Sequence, residues 1–398
     1  MSSIVFAWEL GDNFGHLWRM LPIAEELIRR GHQVRFVLNH LASAQAVLAP
    51  KGIAFLPSPS IQGKTELGRE IASYADILAT HGFTRPAVFN GMMSAWANLH
   101  ALLETDIVVL EHAPSALVAA RMLGLKTVHI GTGFTIPPRV SPMPCFRPWH
   151  QGTAEALEAT ESSVLSVINA AFAACGHVAA TTLSEALSTD RTLLMTLPEL
   201  DHYQGADRSA IELTTPVENN GGGMRVPWLQ TRYPRIFMYV RNQVWLPAVL
   251  DVLAGSTVEV IAVIPDIPDA LRSKHASCEH LRIYREPVDL HALLPGCQLA
   301  ITHAGHGTSV DCLKTGVPML LLPNHIEQLM ITGRIAATGA GVGIIPSTVQ
   351  ANFAQVLRDM LTQPGYAQAA QGIAARYKDA DPARSLQRVA QTIESLLQ

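Results

Sequence analysis

Short apolar runs alternate with stretches of helical spacing from the first residues: Ile4 to Trp8, then Leu17 to Arg30, then Gln33 to Leu38. An unbroken apolar run of five or six residues suits a strand buried on both faces. Leu17, Met20, Leu21, Ile23, Ala24, Leu27 and Ile28 instead recur every three or four positions, which puts them on one face of a helix. That helix closes on Arg29-Arg30-Gly31, cations against the negative end of the dipole followed by a glycine, so its start falls near His16. The opening is β-α-β. Further runs at Ile107 to Leu110, Thr127 to Ile130 and His177 to Thr181, with helical stretches between them, predict a mainly parallel sheet.

The alternation stops at 214–233, TTPVENNGGGMRVPWLQTRY, where three consecutive glycines and two prolines interrupt every period, as a linker requires. It restarts beyond, with Arg235 to Val240, a helix near Trp245 to Leu253, Val258 to Ile264, Leu281 to Tyr284, Leu299 to Thr302, a helix after Thr308, and Pro318 to Leu322. The pattern therefore predicts an α/β protein of two Rossmann-like doubly wound domains, 1–213 and 234–380, facing each other across a cleft. A last helix, 381–398, is expected to pack back on the N-terminal domain. In such sheets ligands bind at the carboxyl ends of the strands.

Composition narrows the class. A chain of 398 residues with 48% hydrophobic and 16% charged residues can bury two cores and does not resemble a disordered one. Its formal net charge of -4 offers no basic field for a phosphate backbone, so nucleic acid is not an expected partner. Cys145, Cys175, Cys278, Cys297 and Cys312 are scattered and odd in number, which fits thiols in a reducing compartment, and the first residues lack the basic start of a signal peptide. A cytoplasmic protein is expected. Ser162 to Ser184 is long enough to span a membrane but rich in Ala, Ser and Thr, and it reads as a semi-buried helix followed by a strand, so no integral membrane segment is expected.

The segment Ile301-Thr-His-Ala-Gly-His-Gly-Thr-Ser-Val-Asp311 reads as a strand entering a glycine turn and then a helix. Gly305 and Gly307 let a backbone approach an anion closely, the free amides of a helix start supply positive potential, and His303 can donate to the same oxygens. A plain strand-to-helix turn with a histidine cap has the same look.

A longer comparison separates these readings. ITHAGHGTSVDCLKTGVPMLLLPNHIEQLMITGRIAATGAGVGI, preceded by EPVDLHALLPGCQLA, resembles the donor-binding signature of family 1, UDP-dependent glycosyltransferases of the GT-B fold, in their bacterial natural-product and macrolide type. WELGDNFGHLWRMLPIAEELIRRGHQVRFV is similar to the opening of those enzymes. The resemblance implies that His303, Gly305, His306, Gly307 and Thr308 hold the donor diphosphate, with Arg241 a further candidate because guanidinium pairs well with phosphate oxygens. It implies that Asp311 binds the ribose, where the family usually has Glu. It also implies that Pro287 and Val288 contact the base through their backbone, and that Glu327 and Gln328 grip the sugar. His16 matches the family's catalytic histidine, suited to take a proton from an acceptor hydroxyl. Glu111 stands at a usually aspartate position that orients it. Asp12 is a fallback base.

The same family stabilises the departing diphosphate without a metal ion, and sixteen histidines here form no HExxH, no His-carboxylate set and no cysteine pair; neither metal nor other cofactor is expected. The expected activity is inverting transfer of a hexose from a UDP-sugar, or a dTDP-sugar, to a hydroxyl of a small hydrophobic acceptor such as a polyketide or phenol. Phe134, Phe146, Trp149 and Met92 are the candidate acceptor-lining residues, Trp96 being read as packing. A nucleotide-sugar 2-epimerase and a non-catalytic helper of the same fold are the alternatives.

Overall fold

A computed structural model of the chain describes residues 1–398 except 12–14, 62, 64, 148–153, 210, 217–222, 230–231 and 398. The chain forms two compact units. The first comprises Met1–Thr196, Tyr203–Asn219 and Asp381–Gln398, and the second Leu197–His202 and Asn220–Ala380.

The first unit is built on strands β1 (Ser3–Trp8), β2 (Gln33–Leu38), β3 (Ala54–Pro57), β4 (Ile107–Leu110), β5 (Lys126–Gly131), β6 (Arg191–Met195) and β7 (Glu212–Thr214). They lie in the order β3-β2-β1-β4-β5-β6-β7 and every pairing is parallel. All six residues of β1 are buried, as its uninterrupted apolar run requires of a central parallel strand. The helix Gly15–Arg29 buries Leu17, Met20, Leu21, Ile23, Ala24 and Leu27 against one face of this sheet, together with Ile4, Phe6 and Trp8. The helix Pro382–Glu394 contributes Val389, Ala390 and Ile393 to the same core. Its Glu394 accepts from Arg30 and contacts His32, and Arg388 pairs with Glu212, which binds the C-terminal helix into this unit.

The second unit contains β8 (Arg235–Tyr239), β9 (Glu259–Val263), β10 (Leu281–Tyr284), β11 (Leu299–Thr302), β12 (Met319–Leu321) and β13 (Gly341–Gly343), again all parallel, in the order β10-β9-β8-β11-β12-β13. Ile236 and Met238 of β8 enter one hydrophobic core and Phe237 the other, so both faces of the sheet are covered. Leu197 and Leu200 join the second of these cores, and Glu199 accepts from Tyr377 and pairs with Arg376.

Several expectations need correction. His177 to Thr181 is not a strand: Val178 is 90% exposed, and the side chain of Asn169 takes both backbone groups of Ala180 that a neighbouring strand would use. The place beside β5 belongs to β6 instead. The helix Ala154–Ala174 buries only a stripe, Glu161, Val164, Ile168, Ala171 and Phe172. Among the described residues no helix is long and apolar enough to cross a membrane. The helix expected after Thr308 begins at His306. Part of the glycine-rich stretch is fastened down: Met224 bridges Val288 in parallel, Leu229 N–H donates to Glu259, and Pro227 O accepts from Arg282. Gly223 is required there, because a Cβ would lie 2.2 Å from the carbonyl carbon of Val288.

Candidate active site

In each sheet the chain leaves the central strand to one side and later returns on the other, which opens a crevice at the strands' carboxyl ends. In the first unit that point lies between β1 and β4, paired with Ala7 opposite Leu110. Glu111 follows β4 directly, and its N–H donates to Ala7 O at 2.9 Å. His16 is the second residue of the helix that follows β1, its ring stacked on Trp8 with centroids 5.1 Å apart.

His16 Nδ1 lies 2.5 Å from Glu111 Oε2. A carboxylate only accepts, so Nδ1 carries the hydrogen, and Nε2 is the ring nitrogen left to exchange a proton. Gly11, at φ +88, keeps the space around that atom clear; a Cβ there would stand 2.6 Å from Nε2. The other oxygen of Glu111 accepts from Arg19, one helical turn beyond His16. Glu111 is fully buried. Burial pushes its pKa up, but the charges of His16 and Arg19 and the His16 hydrogen bond outweigh that and bring it to about 2.

The two loops carrying this pair are bolted together. Glu9 N–H and Leu10 N–H both donate to His112 O, at 3.3 and 3.0 Å. The Glu9 carboxylate accepts from Ser115 N–H, Ser115 Oγ and Ala116 N–H at the start of the helix Pro114–Met122, at 3.0, 2.8 and 2.6 Å. Trp96 Nε1 donates to Ser115 Oγ, so this buried tryptophan packs and braces. Burial raises Glu9 to about 7 against those bonds.

His112 occupies the left-handed region at φ 48, uncommon for a side chain of this size. Its ring lies 6.1 Å from that of His16, 5.9 Å from Tyr74 and edge-on to Phe134 at 6.2 Å. Phe134 thus packs on His112, which in turn neighbours His16, and is itself buried. Phe146 packs behind it at 5.7 Å and is itself sealed in, and Met92 is buried facing Gly82. Trp149 and Asp12 lie outside the described residues. A cavity in this unit is lined by Tyr74, Leu117, Ile136, Pro137, Met143 and Leu187, with His129, Arg139 and several hydroxyl side chains among its polar lining. Three of these, Ile136, Pro137 and Met143, lie between the acceptor candidates Phe134 and Phe146 in the chain.

In the second unit the crevice lies between β8 and β11. After β11 the chain passes His303, then Ala304 in the left-handed region at φ 61, then Gly305 as cap of the helix His306–Thr315. His306, Gly307 and Thr308 form the first turn of this helix, the end at which backbone amides point out along the axis. His303 Nδ1 lies 3.2 Å from Tyr239 O. The carbonyl only accepts, so the hydrogen sits on Nδ1 and the bare Nε2 faces Gly305, where a Cβ would be 3.0 Å away. Burial holds His303 down to about 4, partly offset by the Tyr239 bond and reinforced by the charges of His325 and Arg241. Arg241, at the end of β8, is thereby placed within electrostatic reach of His303.

Asp311 is half-buried further along the same helix. Glu327 and Gln328 open the helix Ile326–Ala337; Glu327 Oε1 is 3.9 Å from His202 Nε2, and Gln328 Oε1 accepts from Asn324 N–H. In the loop expected to contact a base, Pro287 O and Asp289 N–H are already bonded to Met224, and Val288 is buried. Among the described residues no group of three or more His, Cys, Asp or Glu side chains is arranged to hold a metal ion.

Residues 248–396 match the family model described as Erythromycin biosynthesis protein CIII-like, C-terminal domain. The chain is 22% identical to a zeaxanthin glucosyltransferase of Pantoea ananas over 402 aligned positions, covering 89% of this chain and 88% of that enzyme. It is 30% identical over 93 residues to a TDP-daunosamine transferase of Streptomyces peucetius, covering 23% and 22%. Among solved structures, the glycosyltransferase VinC in complex with dTDP superposes with a TM-score of 0.67 at 18% identity, over 98% of this chain and 100% of that one. The glycosyltransferase of kitacinnamycin gives 0.70 at 18%, over 99% of each. The fold is GT-B. Residues 248–396 carry the Erythromycin biosynthesis protein CIII-like C-terminal domain, and along most of its length the chain is similar to family 1 type glycosyltransferases.

Four buried imidazoles titrate low: burial brings His100, His129 and His303 to about 4, and His112 to about 3. Unfolding returns each toward 6.5, so between roughly pH 6.5 and 4 the unfolded chain binds more protons and stability falls as pH falls. Glu9 acts in the opposite sense: with a folded value of about 7 against 4.5, its folded state holds the extra proton between those values. Four groups outweigh one. Urea denaturation should therefore show a loss of about 2 kcal/mol or more between pH 7 and pH 4.5; a midpoint constant over that range would contradict the buried neutral state of these histidines.

Proposed function

We propose that this glycosyltransferase moves a hexose from a UDP- or dTDP-sugar to a hydroxyl of a small hydrophobic natural product, with inversion and without a metal ion. The observation that carries the reading is the His16–Glu111 pair, 2.5 Å apart at the carboxyl ends of β1 and β4. His16 Nε2 takes the acceptor's hydroxyl proton as that oxygen bonds to the anomeric carbon, the bond from that carbon to the β-phosphate oxygen breaks, and the diphosphate leaves with the electron pair. Glu111 holds the tautomer and balances the imidazolium that forms.

His303, Arg241 and the amides of His306, Gly307 and Thr308 receive the diphosphate. Asp311 holds the ribose, Pro287 and Val288 flank the base, and Glu327 with Gln328 bind the sugar. The dTDP in VinC and the TDP-sugar donor named for the daunosamine enzyme put dTDP beside UDP as the nucleotide to test. The cavity beside Tyr74, with a mostly apolar wall and a few polar groups including Arg139, suits a flat, weakly polar acceptor. A cytoplasmic setting fits five cysteines that form no disulfide.

Two measurements test this. His16→Ala should keep nucleotide affinity in EDTA and lose at least ~100-fold in transfer; full turnover in that variant would remove His16 from the chemistry. Because Nε2 of His303 is bare, this ring can meet a bound diphosphate only by gaining a proton. Calorimetry of UDP or dTDP at pH 6 in buffers of different ionisation enthalpy should show uptake of up to about one proton, abolished in His303→Gln. Binding without proton uptake would remove His303 from the groups that meet the diphosphate.

A further inference from the structure

The proposed chemistry uses two members of a three-member cluster. Arg19 and His16 stand one turn apart on the same face of the helix Gly15–Arg29, and each occupies one oxygen of Glu111. The Arg19 and His16 side chains are 13% and 14% exposed and Glu111 is wholly enclosed, so solvent contributes little to balancing its charge. With a neutral imidazole the cluster sums to zero; it becomes positive only when His16 accepts a proton.

We propose that Arg19 is a positioning residue of the transfer reaction: it neutralises Glu111, so that the carboxylate orients His16 without claiming a proton for the pair before the acceptor arrives. This rests on the reading of His16 as the base. A carboxylate buried without a counter-ion is costly, and the cheapest relief is to draw a proton from solvent onto the imidazole beside it or onto itself. In either state the pair must be deprotonated before it can serve as a base.

The other titratable groups packed around the cluster do not supply this balance. His112 follows Glu111 in the chain, His129 lies on β5, and Tyr74 is on the helix Tyr74–Leu78; burial keeps both imidazoles neutral and the phenol protonated. His40 stacks on Trp8, 5.5 Å away, rather than on the carboxylate. Glu9 would add negative charge and is engaged with Ser115 and Ala116.

The test is the pH dependence of kcat/KM in Arg19→Met and Arg19→Lys, with nucleotide affinity as a check that the protein is folded. Arg19→Met should lose ~10- to 100-fold near pH 7 with donor KM unchanged, and its acid limb should move up by about one pH unit or more, so that part of the loss is recovered near pH 9. Arg19→Lys, which keeps the charge, should lie closer to the parent. In a Glu111→Gln background, where no carboxylate needs balancing, Arg19→Met should cost nothing further. A loss equal at every pH, or one that persists in the Glu111→Gln background, would make Arg19 a packing residue and overturn the inference. A parent protein with no transfer to any acceptor would instead overturn the reading on which it rests.

Discussion

A carboxylate enclosed by protein has to be neutralised where it stands, and the first unit is arranged around that requirement at Glu111. The parallel pairing of β1 with β4 brings the residues after both strands together at one end of the sheet. The helix leaving β1 then directs His16 and Arg19 at the same two oxygens. Neither contact is left to side-chain freedom alone. The loop before His16 is tied to the segment after Glu111 through His112 O and through Glu9, whose own carboxylate caps the helix Pro114–Met122. Strained backbone at His112 and a glycine that only glycine can replace at residue 11 sit in this same small region, where local cost is tolerated because surrounding contacts determine the geometry.

The second unit solves a different electrostatic problem with the same topology. At the crevice between β8 and β11 it presents a buried neutral imidazole, a nearby guanidinium and the first turn of a helix. Such a place favours added negative charge, and the tautomer imposed by Tyr239 O makes His303 responsive to it. One unit holds an imidazole against a charge-balanced carboxylate, the other an imidazole beside a guanidinium and a helix start.

Much of this was legible in the chain. The central strands β1, β2, β4, β8, β9, β11 and β12 are buried on both faces and announce themselves as apolar runs. Of the strands that pattern passes over, β3, β7 and β13 are three or four residues long and lie at sheet edges, where burial is incomplete and the composition carries no period, while β6 is internal, five residues long and opens on the polar Arg191 and Thr192. His177 to Thr181 has strand-like composition, but Asn169 satisfies its backbone locally, a competition invisible to hydrophobic patterning. The motif residues His16, Glu111 and His303 were found through spacing and resemblance. Arg19 and Glu9 were not, because a charged residue in a helix or at a strand end usually faces water, and only their burial against Glu111 and Ser115 reveals their part.

The central claim is that His16 and Glu111 work as one device, and a double-mutant cycle on kcat tests it most directly. His16→Ala, Glu111→Gln and the double variant should be compared under saturating donor and acceptor. If the carboxylate acts only through the imidazole, the double variant will be no slower than His16→Ala, within about threefold. Losses that multiply would show Glu111 contributing independently of His16 and would contradict the account.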